Sequence, residues 1–104
     1  MLFRSKYLIT ESQLDKAIFR YLDSQNFIQI RMVDIIYFVY TKYDKTAKIR
    51  YDEDSGWCGI HYKLIEEISS FFSLDEFDSE QSVGRWVEKT LKMRITDTSK
   101  EPFL

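Results

Sequence analysis

The chain has one cysteine, one proline, one histidine and three glycines in 104 residues, and each shortage excludes something. With Cys58 alone no internal disulfide can form, which fits a reducing compartment. So little proline and glycine argues for compact elements joined by short connections, with no disordered linker. The longest apolar run, Ile35 to Tyr40, is six residues, far short of a membrane span. Arg4 and Lys6 interrupt the N-terminal stretch before any apolar run, so it does not read as a signal peptide. A formal charge of −2 supplies no strong field toward nucleic acid or membrane. The expected setting is a cytoplasm, with no membrane association.

Missing motifs narrow the chemistry further. There is no Gly-x-Ser-x-Gly, no P-loop and no Gly-x-Gly-x-x-Gly. Gly56, Gly59 and Gly84 are too dispersed to cradle a phosphate. Cys58 and His61 are the soft ligands, at C-x-x-H spacing, and a zinc site would need two carboxylates beside them. A buried thiol and a strand-end imidazole explain the pair more simply. Asp52-Glu53-Asp54-Ser55-Gly56 has the composition of a calcium loop, but its glycine comes one residue early and position twelve is Lys63. It reads as an acidic turn. No catalytic residue, cofactor or metal ligand is assigned, and the chain is expected not to be an enzyme.

What the chain does have is apolar pattern and aromatics, 44% hydrophobic and 16% aromatic. Its length suits a single domain over 1–104. The organising stretch is 33–51. Ile35 to Tyr40 is rich in the β-branched and aromatic types that fit a pleated surface. Asp44 to Ala47 are turn-compatible, and Lys48 to Asp52 then alternates. This predicts a hairpin whose first strand is buried on both faces and whose second is buried on one. Ile35, Tyr37, Val39 and Thr41 share one face of the first strand, and Ile36, Phe38 and Tyr40 the other. In the second, Ile49 and Tyr51 oppose Lys48, Arg50 and Asp52.

Helices are expected on either side. Leu14, Ala17, Ile18, Tyr21 and Leu22 form an amphipathic stripe over 10–24, opened by a Thr10–Gln13 capping box. Leu64, Ile65, Ile68, Phe71 and Phe72 do the same over 62–73. Val83, Trp86, Val87 and Leu91 form a third stripe over 79–92, with Ser79 as its N-cap. The stretch 27–32 is ambiguous, but Ile28 and Ile30 alternate with Gln29 and Arg31, which is compatible with a strand already. Trp57 to Tyr62 reads as a third strand or as the start of the second helix. From about 96 no period remains, and a loose tail is expected. The fold class is thus α+β, in the order α-β-β-β-α-α, with an antiparallel sheet of two or three strands covered by helices.

Three surfaces invite a functional reading. Lys42, Lys45, Lys48 and Arg50 lie among Tyr40, Tyr43 and Tyr51, and such a hairpin could stack bases and track a phosphate backbone. Cross-strand aromatic pairs and edge-protecting lysines account for the same residues structurally. Glu66, Glu67, Asp75, Glu76, Asp78 and Glu80 form an acidic run, either a docking site for a basic partner or a solvated helix face. Phe71, Phe72, Phe77 and Trp86 exceed what a small core hides, and Phe3, Phe27 and Phe103 lie outside the main stripes. Aromatics in surplus suggest a dimer face. The expectation is a non-enzymatic interaction module that self-associates, with a dimer favoured, and binds a protein partner. A small single-stranded nucleic-acid binder using Lys42, Tyr43, Lys45, Lys48, Arg50 and Tyr51 is the alternative.

Tyr7-Leu8-Ile9-Thr10-Glu11-Ser12-Gln13-Leu14, followed by Gly56-Trp57, Tyr62-Lys63, Phe71-Phe72-Ser73-Leu74 and Trp86-Val87-Glu88 at their spacing, resembles small proteins of marine tailed, T4-like phages. The resemblance implies a virus-encoded or marine microbial accessory protein acting inside an infected bacterium. It brings no catalytic residue with it.

Overall fold

A computed structural model of the chain describes residues 11–102, and the side chains of 13–102. The Thr10 capping box, the 6–9 segment, Phe3 and Phe103 therefore lie outside the described residues. The elements are α1 (Glu11–Ser24), β1 (Ile28–Met32), β2 (Ile35–Val39), β3 (Ile49–Asp52), β4 (Trp57–His61), α2 (Tyr62–Phe72), α3 (Glu76–Leu91) and β5 (Asp97–Glu101). The class is α+β as expected, but the sheet has five strands and is mixed. β1 to β4 form an antiparallel meander, and β5 lies parallel to β4 at the far edge. A parallel partner needs a long crossover, and α2 and α3 supply it.

Register places the core. Gln29, Phe38, Ile49 and Ile60 form one row across β1 to β4, and Arg31, Ile36, Tyr51 and Cys58 the next. From those rows Ile36, Phe38, Ile49, Tyr51, Cys58 and Ile60 join Ile18 and Leu22 of α1, Leu64, Ile65 and Ile68 of α2, and Val83, Trp86 and Val87 of α3. All three helices therefore pack on one face of the sheet. Fully burying each of these larger side chains contributes roughly 1.5–3 kcal/mol, which makes this layer the main source of stability.

The segment 27–32, left open between strand and other structure, holds a strand, hairpinned to β2 through Val33 and Asp34, a two-residue turn in which Val33 has φ 57°. A positive φ usually selects Gly or Asn, so a turn built on valine carries no recognisable signal. Several other expectations are corrected. The connection after β2 is longer than the four-residue turn at 44–47. Asp44 Oδ2 accepts from the Tyr40 and Thr41 amides at 2.8 and 3.1 Å, closing a compact loop that ends β2 at Val39. α3 begins at Glu76, because Asp75 is its N-cap, accepting from the Asp78 amide at 2.7 Å. Ser79 lies buried inside the first turns and donates to the Asp75 carbonyl at 2.9 Å.

The expected loose tail contains β5. Its sequence, DTSKE, has no apolar alternation, and tertiary contacts hold it instead. The Tyr51 hydroxyl donates to the Arg94 carbonyl at 2.9 Å, the Thr96 amide to the Gly56 carbonyl at 2.9 Å, and Trp57 Nε1 to Ser99 Oγ at 2.8 Å. Trp57–His61 is strand, and the helix follows with no intervening residue: His61 caps α2 by accepting from the Lys63 amide on Nδ1 at 3.1 Å.

Candidate interaction face

Strand alternation puts Ile28, Ile30 and Met32 of β1, Ile35, Tyr37 and Val39 of β2, Arg50 and Asp52 of β3, and Trp57, Gly59 and His61 of β4 on the second sheet face. Among the described residues no helix covers this face. β2 is accordingly only half-buried at Ile35 and Tyr37, which corrects the expectation of a strand buried on both sides. The 40–48 connection folds over one corner and shields Val39 and Ala47. Between it and the open strands lies a groove of about 260 Å³, lined by Ile30, Met32, Tyr37, Val39, Asp44, Lys45 and Ala47.

The two sheet edges differ. β5 exposes Asp97 and Lys100, and Lys100 Nζ pairs with Glu76 Oε1 at 2.7 Å. Such charges discourage further strand pairing. β1 reads IQIRM, with no proline and no lysine. Ile28 is 42% exposed, Met32 59% and the adjoining Val33 87%. Its one charge, Arg31, points to the helix side and pairs with Glu53.

In the middle of the open face Arg50 lies opposite Tyr37 and Gly59. Its guanidinium carbon is 5.8 Å from the Tyr37 ring centre and 5.6 Å from that of Trp57. Its Nε is buried without a hydrogen-bond partner among the described residues.

The residues expected to form a nucleic-acid surface do not share one. Lys42, Tyr43 and Lys45 sit on the exposed connection, with Lys42 Nζ 5.3 Å from the Tyr43 ring centre. Lys48 Nζ lies 5.5 Å over Tyr40. Arg50 is on the open face, whereas Tyr51 points into the core. The expected interface aromatics also separate. Phe71 is exposed but stacked on Tyr21 at 5.3 Å, Phe72 packs against the core, and Phe77 is exposed in the first turn of α3. Trp86 is a core residue, 5.5 Å from Phe38, with its indole nitrogen donating to Asp23 at 2.9 Å, and so presents no dimer face here.

Cys58 and His61, three residues apart on β4, point to opposite faces of the sheet and cannot share a metal. Burial, helped by Glu80, pushes the Cys58 thiol up to about 12, far from a reactive thiolate. Burial and then Lys48 and Lys63 lower the His61 pKa. The acidic turn is internally used: Asp52 Oδ1 accepts from the Asp54 amide at 2.9 Å, and Glu53 pairs with Arg31. The acidic run is likewise engaged, with Glu80 accepting from Thr98 at 2.6 Å and Asp75 and Asp78 at the α3 N-terminus, where the helix dipole favours them.

Among the described residues no helix is long and apolar enough to cross a membrane. No protein-family model, curated protein or solved structure matches the chain.

Proposed function

We propose that this protein is a non-enzymatic interaction module that self-associates by pairing its β1 edge with the same edge of a second copy, in the cytoplasm of a phage-infected bacterium. The observation that carries the reading is the β1 edge, unpaired among the described residues, with its apolar residues on the face that no described helix covers. Antiparallel self-pairing about Ile30 is complementary in every position. Ile28 comes opposite Met32 of the second copy and Ile30 opposite its counterpart, apolar against apolar on the open face. Gln29 comes opposite Arg31, so the two copies bring no like charges together. The product is a continuous sheet with a doubled apolar strip. A contact of five residues per strand lies at the small end of interface sizes, so the dimer is concentration-dependent.

Sedimentation over a range of concentrations tests this, using the wild type and Ile30→Lys, which puts a charge in the centre of the strip. A wild-type dimer and a monomeric variant with an unchanged far-ultraviolet spectrum are expected. A wild type that stays monomeric at its highest soluble concentration, or a variant that dimerises equally well, refutes the proposal.

A further inference from the structure

We propose that Arg50, held by Tyr37 and Trp57, is a receptor for the carboxylate of a small organic acid bearing one negative charge. The site lies on β2 to β4 and does not rest on the β1 edge. An arginine presents five N–H donors in a planar fork. Nε of Arg50 is buried with no acceptor, and no described carboxylate forms an ion pair with the group. The enclosed Nε is beyond a ligand's reach, but the guanidinium makes no hydrogen bond to any described residue, so its terminal nitrogens can take an acceptor from solvent. The guanidinium is also held in place. Tyr37 is its direct cross-strand neighbour, and Trp57 its diagonal one. The Trp57 ring is fixed in turn, since Nε1 donates to Ser99 Oγ at 2.8 Å and Ser99 Oγ donates to Glu101 Oε2 at 2.7 Å. A fork whose orientation is already set loses less freedom on binding than a solvated one.

The surroundings select among anions. Asp52, Asp97 and Glu101 share this face of the sheet. Their repulsion grows with ligand charge, so they disfavour a phosphate that carries nearly two charges at neutral pH. The open flank toward Ile35 and Tyr37 is apolar and aromatic, and offers a bed for a flat or aliphatic body attached to the carboxylate. Gly59, opposite Arg50, brings no side chain to obstruct it.

The test is a titration of isotope-labelled protein with benzoate, acetate and inorganic phosphate at constant ionic strength, following the Arg50 Nε–H and Trp57 indole resonances. Benzoate should shift both saturably, with a Kd of about 1–10 mM as befits a fragment-sized ligand. Acetate should bind more weakly and phosphate more weakly still. Arg50→Lys keeps the charge but loses the fork, and should weaken benzoate about tenfold. No saturable shift, phosphate binding tighter than benzoate, or an unchanged affinity in Arg50→Lys overturns the site. A shift of the Arg50 resonance with protein concentration, in the absence of added acid and lost in Ile30→Lys, would assign Arg50 to contact between copies and equally overturn it.

Discussion

Replacing Gly84 by alanine should destabilise this protein, although it introduces the best helix former into the interior of a sixteen-residue helix. In an open helix the exchange gains about 1 kcal/mol. Here the new Cβ would stand 2.8 Å from Thr98 Cγ2 on β5, roughly 1 Å inside the carbon–carbon optimum. Thr98 cannot turn its methyl aside cheaply. Its hydroxyl accepts from Gln81 Nε2 at 3.0 Å and donates to Glu80 Oε2 at 2.6 Å, and a new rotamer forfeits both bonds. Nor can β5 drift outward freely, since Trp57 holds Ser99 and Tyr51 holds Arg94. Overpacking of this kind costs about 1–3 kcal/mol. Set against the helix gain, the net loss is about 1 kcal/mol, or a Tm lower by about 4–8 °C. Thr98→Ser deletes the offending methyl and keeps the hydroxyl. In that background Gly84→Ala should stabilise, approaching the full ~1 kcal/mol of helix propensity. Urea denaturation of the two single variants, the double variant and the wild type closes the cycle, with constant m-values as the check on two-state behaviour. Additive effects, or a more stable Gly84→Ala in the Thr98 background, would refute the claim that close approach to β5 requires this glycine.

Two further outcomes follow from local geometry. Val33, at φ 57° and 87% exposed, holds a left-handed conformation that costs an L-residue about 1–2 kcal/mol and buries almost nothing in return. Val33→Gly should therefore stabilise the fold by about 0.5–1 kcal/mol after glycine's extra chain entropy is subtracted, and raise the melting midpoint accordingly; an unchanged or lower midpoint would show the turn to be unstrained. His61 has a folded pKa below its unfolded 6.5, because burial, Lys48 and Lys63 disfavour the imidazolium and because protonated Nδ1 can no longer accept from Lys63. The stability it contributes is fully present above pH 6.5 and is lost as pH falls through the lower folded value. His61→Asn supplies a capping oxygen in place of Nδ1 and does not titrate. Denaturation from about pH 8 to about pH 5 should show a loss in the wild type that is reduced in the variant, and parallel profiles would remove His61 as the cause.

The local features were legible in the amino-acid order because their cause is local. The stripe Leu14 to Leu22 and the stripe Leu64 to Phe72 predicted α1 and α2 almost to the residue, since helical periodicity is carried by residues three and four apart. Alternation in 48–52 likewise predicted that Ile49 and Tyr51 of β3 face the core, whereas β2, expected to be buried on both faces, turns only Ile36 and Phe38 into it. The hairpin β1–β2 was hidden because its turn uses valine where glycine is the usual signal, and α3 started early because Asp75, four residues before the acceptable Ser79, caps it better. β5 could not be read at all: its polar residues are ordered by Trp57, Tyr51 and Gly84, which lie far away in the chain. The same holds for the candidate site. Basic and aromatic residues were visible, but whether Arg50 meets Tyr37 and Trp57 while Tyr51 turns inward depends on strand register. Composition and periodicity alone determined an α+β protein with a helix-backed sheet. Only the tertiary structure decided that the described helices all take one face and none the other, because the side on which a helix packs is set by connections and crossover and not by the pattern within any one element.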